Sequence, residues 1–559
     1  MLDVNAIVDA DLERLSPEAT TALAQRMLGH IRQQRQHLQQ RDERIALQAG
    51  EIAQQASEIE RKDAELQFKT AKLEKINFEL ARLKAWKFGA KTEAMSAEQR
   101  RLFEETITED EASLQALLEQ LQGKPAQDAP SDQRRRPKRQ ALPSHLRRVE
   151  HRHEPADTTC PTAGCGRQMV RVGEDVSEKL DIVPAQFFVH RHVHGKWACK
   201  CCQVLVQEPV SAQIIDGGMP ASGLLAHTLI SRFVDHLPYY RQEAINARSG
   251  VHTPRSTLAQ WCGRAGAALE PLYDVHKRFV LSDGVLHADE TPVAMLDPGA
   301  GKTKKAYVWA YARGAFAPMP GVVYDFCLGR GAQYPIQFLG PPREGDQGWR
   351  GTLVRDEYAA YDSVVDAKKH PGRIAAGCLA HARRKFDELI KHNASVVAPQ
   401  ALRRIAEIYR VERELVDMSA AQRLAARKEA TEPLWKTLRT WLEVERGKVP
   451  DGSATAKALD YSLRHWTALT RNLLDGDVPV DNNHLENQIR PWAMGRRAWL
   501  FTGSELAGQR AAIVMSLVQS AKLNGHDPHA YLRDVLERLP SHPASRIEEL
   551  LPHRWQQPA

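Results

Sequence analysis

Three carboxylates lie in stretches that give each of them a direction. Asp289 sits in GVLHADETPVAML (Gly284–Leu296), a strand-like run in which Val285, Leu286, Ala288, Val293, Ala294, Met295 and Leu296 can all be buried. An ionised carboxylate there costs several kcal/mol unless something pairs with it, and a metal ion is the usual remedy. Asp356 follows the apolar Leu353–Val354 in GTLVRDEYAAYD. Side chains on a strand alternate faces, so Asp289 and Glu290 do not serve one site, nor do Asp356 and Glu357. Asp289 shares a face with His287, which favours the aspartates. Glu486 stands in DNNHLENQIRP, where Asp481 and Asn482 can cap a helix carrying Glu486 and Arg490 on one face. Two strand aspartates and one helix glutamate offer hard oxygen ligands for two Mg²⁺ or Mn²⁺ ions. Such a pair activates an attacking oxygen and stabilises the leaving one during in-line displacement at phosphorus. The chemistry expected is two-metal phosphoryl transfer on DNA. Three acids among 70 are easily found, however, and caps with surface ion pairs are the plain alternative.

A second group of residues could bind metal without catalysis. Cys160-x4-Cys165 and, some way on, Cys199-x2-Cys202 can close a tetrahedral structural zinc site. Cys201 competes with Cys202 for the fourth position. A mixed site drawing on His151, His153, His190, His192 or His194 is open, as is a set of reduced cysteines without metal.

Basic residues near these groups could neutralise phosphates. His381, Arg383, Arg384 and Lys385 begin a helix, while Arg490, Arg496 and Arg497 follow Glu486. Ion pairing with Asp387 or Glu388 is the structural alternative. Trp492 and Trp499 read as core rather than base-stacking residues. The run Arg134, Arg135, Arg136, Lys138 and Arg139 makes a basic knot in a Pro- and Gly-containing linker, where it either holds phosphates or is simply solvated.

These residues need positioning, and the chain supplies elements for it. Ile31, Leu38, Ile45, Ile52, Ile59, Leu66, Leu73 and Leu80 recur every seventh residue, the mark of a coiled coil. The companion seam is polar until Ile76 and Leu83, so zipping needs a suitable partner, unless the helix packs on its own protein. Residues 222–270 read as helix, turn, helix. Thr253 caps the last helix, with Pro254 at its first position. That arrangement suits DNA contact through Arg255, Ser256 and Thr257, though many packed helix pairs look alike. GVLHADETPVAML, KAYVWAYAR, GVVYDFCLG, GTLVRDEYAAYD and RIAAGCLA are successive strands, and the helix HARRKFDELIKH follows. Strands followed by a long helical stretch fit an α/β core.

The chain of 559 residues is long enough for several domains. Its net charge of +7 permits a nucleic-acid partner. No run of about 18 apolar residues suggests a membrane span, and MLDVNAIVDADLERL lacks a signal pattern. The 8 cysteines are too few for a disulfide scaffold, so the expected location is cytoplasmic, at the nucleoid.

The segments HADET, VRDEYAAY, GCLAHARRKF, NNHLENQIRPWAMGRRAWLFTGS and AKLNGHDPHAYL resemble those of the insertion sequence 66 family of bacterial DDE transposases. The likeness extends through the heptads, FGAKTE, EDVSEKLDIVPA and LLAHTLISRFVDHLPYYRQE, and so covers most of the chain in order. It implies a ribonuclease H-like core with Asp289, Asp356 and Glu486 as the catalytic triad. It also implies a helical insertion, holding Trp435, Trp441 and Trp466, before the Glu486 helix. The expected organisation is a helical coiled-coil region (1–122), a basic linker (123–149), a zinc-binding domain (150–215) and a helix-turn-helix-like segment (216–280). The catalytic core (281–380) follows, then the insertion (381–480) and the completion of the core (481–559). Transposon-end and target DNA, a homo-oligomer and small accessory proteins of the same element are the implied partners. Two other readings stay open: a catalytically silent DNA-binding repressor, and a nuclease of the same fold that cuts without joining.

Overall fold

The computed structural model describes residues 16–87, 97–122, 142, 144, 146–183, 186–297, 302–340, 348–391, 395–499 and 502–557. The basic knot at 134–139 and the Phe88–Gly89 pair lie outside them, as does the side chain of Arg497. The chain divides between Phe78 and Glu79 into two compact units.

The first unit is helical, within α1 (Pro17–Lys87). Its sequence is polar and free of internal Pro, and i,i+4 pairs such as Glu58–Lys62 at 2.8 Å support it. Ile31, Ile59 and Leu66 of the heptad stripe are 48%, 59% and 60% exposed.

In the second unit, α2 (Ala97–Gln122) packs along α5 (Arg255–Val280). Residues 97–122, grouped above with the heptads, thus belong to the body. Gly263 makes the approach possible, because a Cβ there would stand 2.2 Å from the Glu109 carbonyl oxygen. The contact is locked by Arg510, whose Nη2 lies 2.6 Å from Glu109 and 3.0 Å from Asp110, all three side chains buried.

A sheet of four strands follows: β1 (Arg147–His153), β2 (Val170–Val183), β3 (Gln186–Ala198) and β4 (Leu205–Gln207). β3 is central, pairing parallel with β1 and antiparallel with β2 and β4. Its apolar end, with Leu180, Phe187 and Val189, joins the main core under α3 (Ser222–Phe233), α4 (Tyr239–Arg248) and α5. The start of α5 differs from the expectation. Pro254 is the N-cap rather than the first helical residue, and Thr253 is buried instead of capping. α5 is itself a core helix, with Leu258, Cys262, Ala265, Leu269 and Leu272 all buried.

The second sheet has five strands in the order β7-β6-β5-β8-β9. They are β5 (Val285–Asp297), β6 (Lys302–Arg313), β7 (Val322–Cys327), β8 (Gly351–Val354) and β9 (Arg373–Ala376). β7, β6 and β5 run antiparallel, while β5, β8 and β9 run parallel. Short helices α6 (Gln333–Phe338) and α7 (Ala360–Val364) interrupt the strands. Leu286, Ala288, Trp309, Tyr311 and Leu353 fill one face with Phe338 and Tyr361. Val293, Met295, Val308 and Ala310 fill the other, against Leu485, Ile489 and Trp492 of α14 (Asn483–Trp499).

Between β9 and α14 lie α8 (Leu379–Lys391), α9 (Ala398–Glu414), α10 (Ala420–Ala426), α11 (Glu432–Arg446), α12 (Ala454–Arg464) and α13 (Trp466–Leu469). They enclose a core of their own in which Trp435 is buried and meets Trp466 edge-on at 5.4 Å. The chain closes with α15 (Glu505–Leu523), which carries Arg510, and α16 (Pro528–Arg538). Among the described residues, no helix is long and apolar enough to cross a membrane.

Arg510→Ala leaves two buried carboxylates without a cation. Urea unfolding is expected to show a loss of about 3–5 kcal/mol. An unchanged midpoint would contradict the role given to this cluster.

Candidate active site and zinc centre

The period of two on β5 separates two neighbouring acids. Glu290 points into the face shared with Tyr361 and is fully paired. It accepts hydrogen bonds from Arg330 Nε at 2.6 Å and Tyr361 Oη at 2.8 Å. The Arg330 guanidinium in turn lies 3.6 Å above the centre of the Tyr358 ring. Glu357 is paired through Oε2 alone, with Arg355 Nη1 at 2.6 Å and His465 Nδ1 at 2.8 Å, while its Oε1 is buried without a hydrogen-bond partner.

Asp289 and Asp356 have no such cations. Among the described residues their recorded hydrogen bonds are from backbone N–H groups, Glu290 to Asp289 at 2.8 Å and Tyr358 to Asp356 at 3.1 Å. Their placement follows from register. His287 of β5 pairs with Val354 of the parallel β8, and each aspartate lies two residues beyond its member of that pair. Both therefore sit at the same level beyond the carboxyl end of β8, where open α/β sheets place their sites.

Glu486 comes from the first turn of α14, and the start of that helix is pinned to β5. Asn482 is fully buried; its Oδ1 lies 2.7 Å from His287 Nδ1, and its Nδ2 donates to the Ala288 carbonyl at 3.1 Å. The expected side-chain cap falls to Asp481, whose Oδ1 accepts from Asn483 N at 3.0 Å. Farther along, Arg496 Nη1 donates to the Pro292 carbonyl at 3.1 Å. α14 thus runs along β5 from His287 to Pro292, on the face that carries His287, Val293 and Met295, which Asp289 shares.

The electrostatics record this crowding. Burial pushes the Asp289 carboxyl well above the usual carboxylate range, and Glu290, Asp356 and Glu486 push it further. Glu486 Oε1 is buried without a hydrogen-bond partner, 3.7 Å from His381 Nδ1. Its Oε2 meets Arg384 Nη2 at 3.4 Å. Cys378, His381 and Glu486 offer ligand atoms within 4.8 Å of one another. Mutually repelling carboxylates with an orphaned oxygen fit a divalent cation. Arg490 is exposed, Arg255 is half-buried at the head of α5, and Trp492 and Trp499 are core residues. The partners of Glu290, the side-chain role of Asn482 and the approach of His381 were missed in the sequence. His381 alone carried a local signal, as the first residue of a basic run.

The cysteines resolve their own ambiguity. Cys160, Cys165, Cys199 and Cys202 offer four sulfurs within 4.8 Å of one another, whereas Cys201 is exposed. Hydrogen bonding from Thr162 draws the Cys160 thiol down to about 6, and contact with Cys165 pushes Cys202 up to about 12. A cluster of four thiol ligands suits structural zinc, so the histidines are not needed for it.

Two outcomes are expected. Zinc content should stay at one per chain in Cys201→Ser and be lost in Cys202→Ser; equal loss in both would contradict the ligand set. Asp289 has a raised folded-state pKa, so the stability it confers as the neutral acid is full below 3.8 and falls as pH rises through the folded value. In chelator at pH 7–8, Asp289→Asn should therefore melt higher than the parent chain. A lower melting temperature would contradict the crowding.

The family described as "Transposase IS66 family" matches residues 217–510, and "IS66 C-terminal element" matches 516–553. Residues 157–203 match "zinc-finger binding domain of transposase IS66", and 75–150 match "Transposase C of IS166 homeodomain". Three similar proteins come from Sinorhizobium fredii (strain NGR234), each described as uncharacterized. Protein y4jD is 38% identical over 74% of this chain and 81% of its own length. Protein y4qI is 39% identical over 74% and 77%, and y4hP 34% identical over 80% and 81%. With its core, its zinc finger and its C-terminal element all matched, the chain belongs to the IS66 family of transposases.

Proposed function

We propose that this transposase cuts DNA at the ends of its element and joins the freed 3′-hydroxyl to target DNA at one site built from Asp289, Asp356 and Glu486. The observation that supports the reading is that the charges of Asp356 and Glu486 both raise the pKa of the Asp289 carboxyl. Asp289 and Asp356 have no cation partner among the described residues, while the adjacent Glu290 and Glu357 are both neutralised. Two Mg²⁺ or Mn²⁺ ions held there would supply Lewis-acid stabilisation to the attacking and leaving oxygens.

The chain's own residues do the positioning. Asp289 is held by strand pairing on β5, and Asp356 by its turn onto the Tyr358 amide. Glu486 is set by the anchorage of Asn482. Arg384 and Arg490, exposed beside the acids, would hold phosphates, with Arg496 and Arg497 farther along α14. A five-stranded sheet with three antiparallel and two further parallel strands supports a ribonuclease H-like core, interrupted by the helical insertion. Arg255, the zinc finger and the basic linker would recognise the element's ends. The exposed stripe of Ile31, Ile59 and Leu66 supports a coiled coil that pairs protomers or recruits accessory proteins.

The test is cleavage and strand joining with Mg²⁺ on DNA carrying the element's terminal repeats. Products are expected with the parent chain and none with folded Asp289→Ala or Glu486→Ala. Retained activity in either variant would remove that residue from the site.

A further inference from the structure

Five imidazoles lie on one face of the four-stranded sheet. His151 and His153 alternate along the edge strand β1, and His190, His192 and His194 along β3, in a parallel register that sets His151 beside His192 and His153 beside His194. Successive rings across the two strands stand 4.6–5.4 Å apart, centre to centre. Between them the nitrogens converge in pairs: His151 Nε2 lies 2.8 Å from His190 Nδ1, and His153 Nε2 lies 3.1 Å from His192 Nδ1. The site opens on a cavity of about 310 Å³ that Asp181 and Glu537 also line.

Asp181 decides what these nitrogens can do. Its buried carboxylate meets His190 Nε2 at 2.7 Å, while its other oxygen accepts from Ile182 N at 2.8 Å. A proton on His190 Nε2 is thereby fixed, and the lone pair of Nδ1 is left facing His151. Carboxylate, imidazole, then a second imidazole nitrogen at hydrogen-bond distance is an arrangement in which a cation can take the place of the proton shared between His190 Nδ1 and His151 Nε2. The spacing agrees. Two nitrogens about 2.05 Å from one ion and at right angles stand about 2.9 Å apart, against about 3.3 Å in a tetrahedron. Square-planar or tetragonal nitrogen and oxygen sites suit Ni²⁺ or Cu²⁺.

We propose that His151 and His190, oriented by Asp181, bind a late divalent transition-metal cation, with His153 and His192 as a second rung. The site is separate from the four cysteines and takes a different ion geometry. Bound metal staples the edge strand β1 to β3, and β1 is where the chain enters the sheet after the basic linker.

The probe is Ni²⁺ alone, added to the full chain carrying its structural zinc, without DNA. Calorimetry should show at least one equivalent bound, and X-ray absorption should show nitrogen and oxygen ligands with imidazole scattering and no sulfur. Asp181→Asn should weaken binding by about 10–100-fold, and His151→Gln and His190→Gln should abolish the tight site. Circular dichroism of the metal-free variants reports whether each folds. If His190→Gln does not, His151→Gln decides, since His151 is half-buried on an edge strand. Sulfur ligation, no stoichiometric binding, or binding that survives loss of His151 would overturn the proposal.

Discussion

The arrangement around the second sheet turns on one electrostatic constraint, the repulsion among carboxylates held at the end of a mixed sheet. Asp289, Asp356 and Glu486 are close enough for their charges to raise the Asp289 pKa, which burial has already lifted. The protein tolerates the strain because each acid is held by something that costs little to keep: strand pairing, a turn amide, and a helix start anchored by a buried asparagine. Neutralising cations are spent one residue away, on Glu290 and Glu357. That partition separates scaffold charge from the charge left for a ligand.

Rigid attachment explains why α14 can follow a helical insertion of roughly a hundred residues and still deliver Glu486 to β5. The insertion has its own core around Trp435, and just ahead of it Cys378 accepts from Asn482 N at 3.1 Å through its sulfur. The insertion's His465 reaches Glu357. The insertion is therefore tied to the end of the sheet just beyond β8. Similarly, Arg510 couples α15 to α2, so that helix is fixed by a buried ion cluster as well as by apolar packing.

Much of this was legible in the sequence because it depends on local pattern. The apolar runs and period of two located β5, β6, β7, β8 and β9, and they put Asp289 and Glu290 on opposite faces. Two cysteine pairs located the metal knuckles. Glu486 carried a weaker local mark, its place behind the capping residues Asp481 and Asn482, and the resemblance added to it. What stayed hidden was set by distant partners: Asn482 with His287, Arg330 with Glu290, Arg510 with Glu109. Pro254 misled because it fits both the N-cap and the first helical turn, and burial of Thr253 decided between them. Cys201 and Cys202 could not be told apart until the fold turned one of them to solvent.

The central claim is that three acids from separate elements form one cation site. Manganese binding to the zinc-loaded chain, bound to DNA carrying the element's ends and followed by electron paramagnetic resonance, tests it most directly. Two Mn²⁺ ions are expected in the parent chain, with loss of at least one in Asp356→Asn at unchanged DNA affinity. Binding that is absent from the parent chain, or unaltered in the variant, would contradict the account.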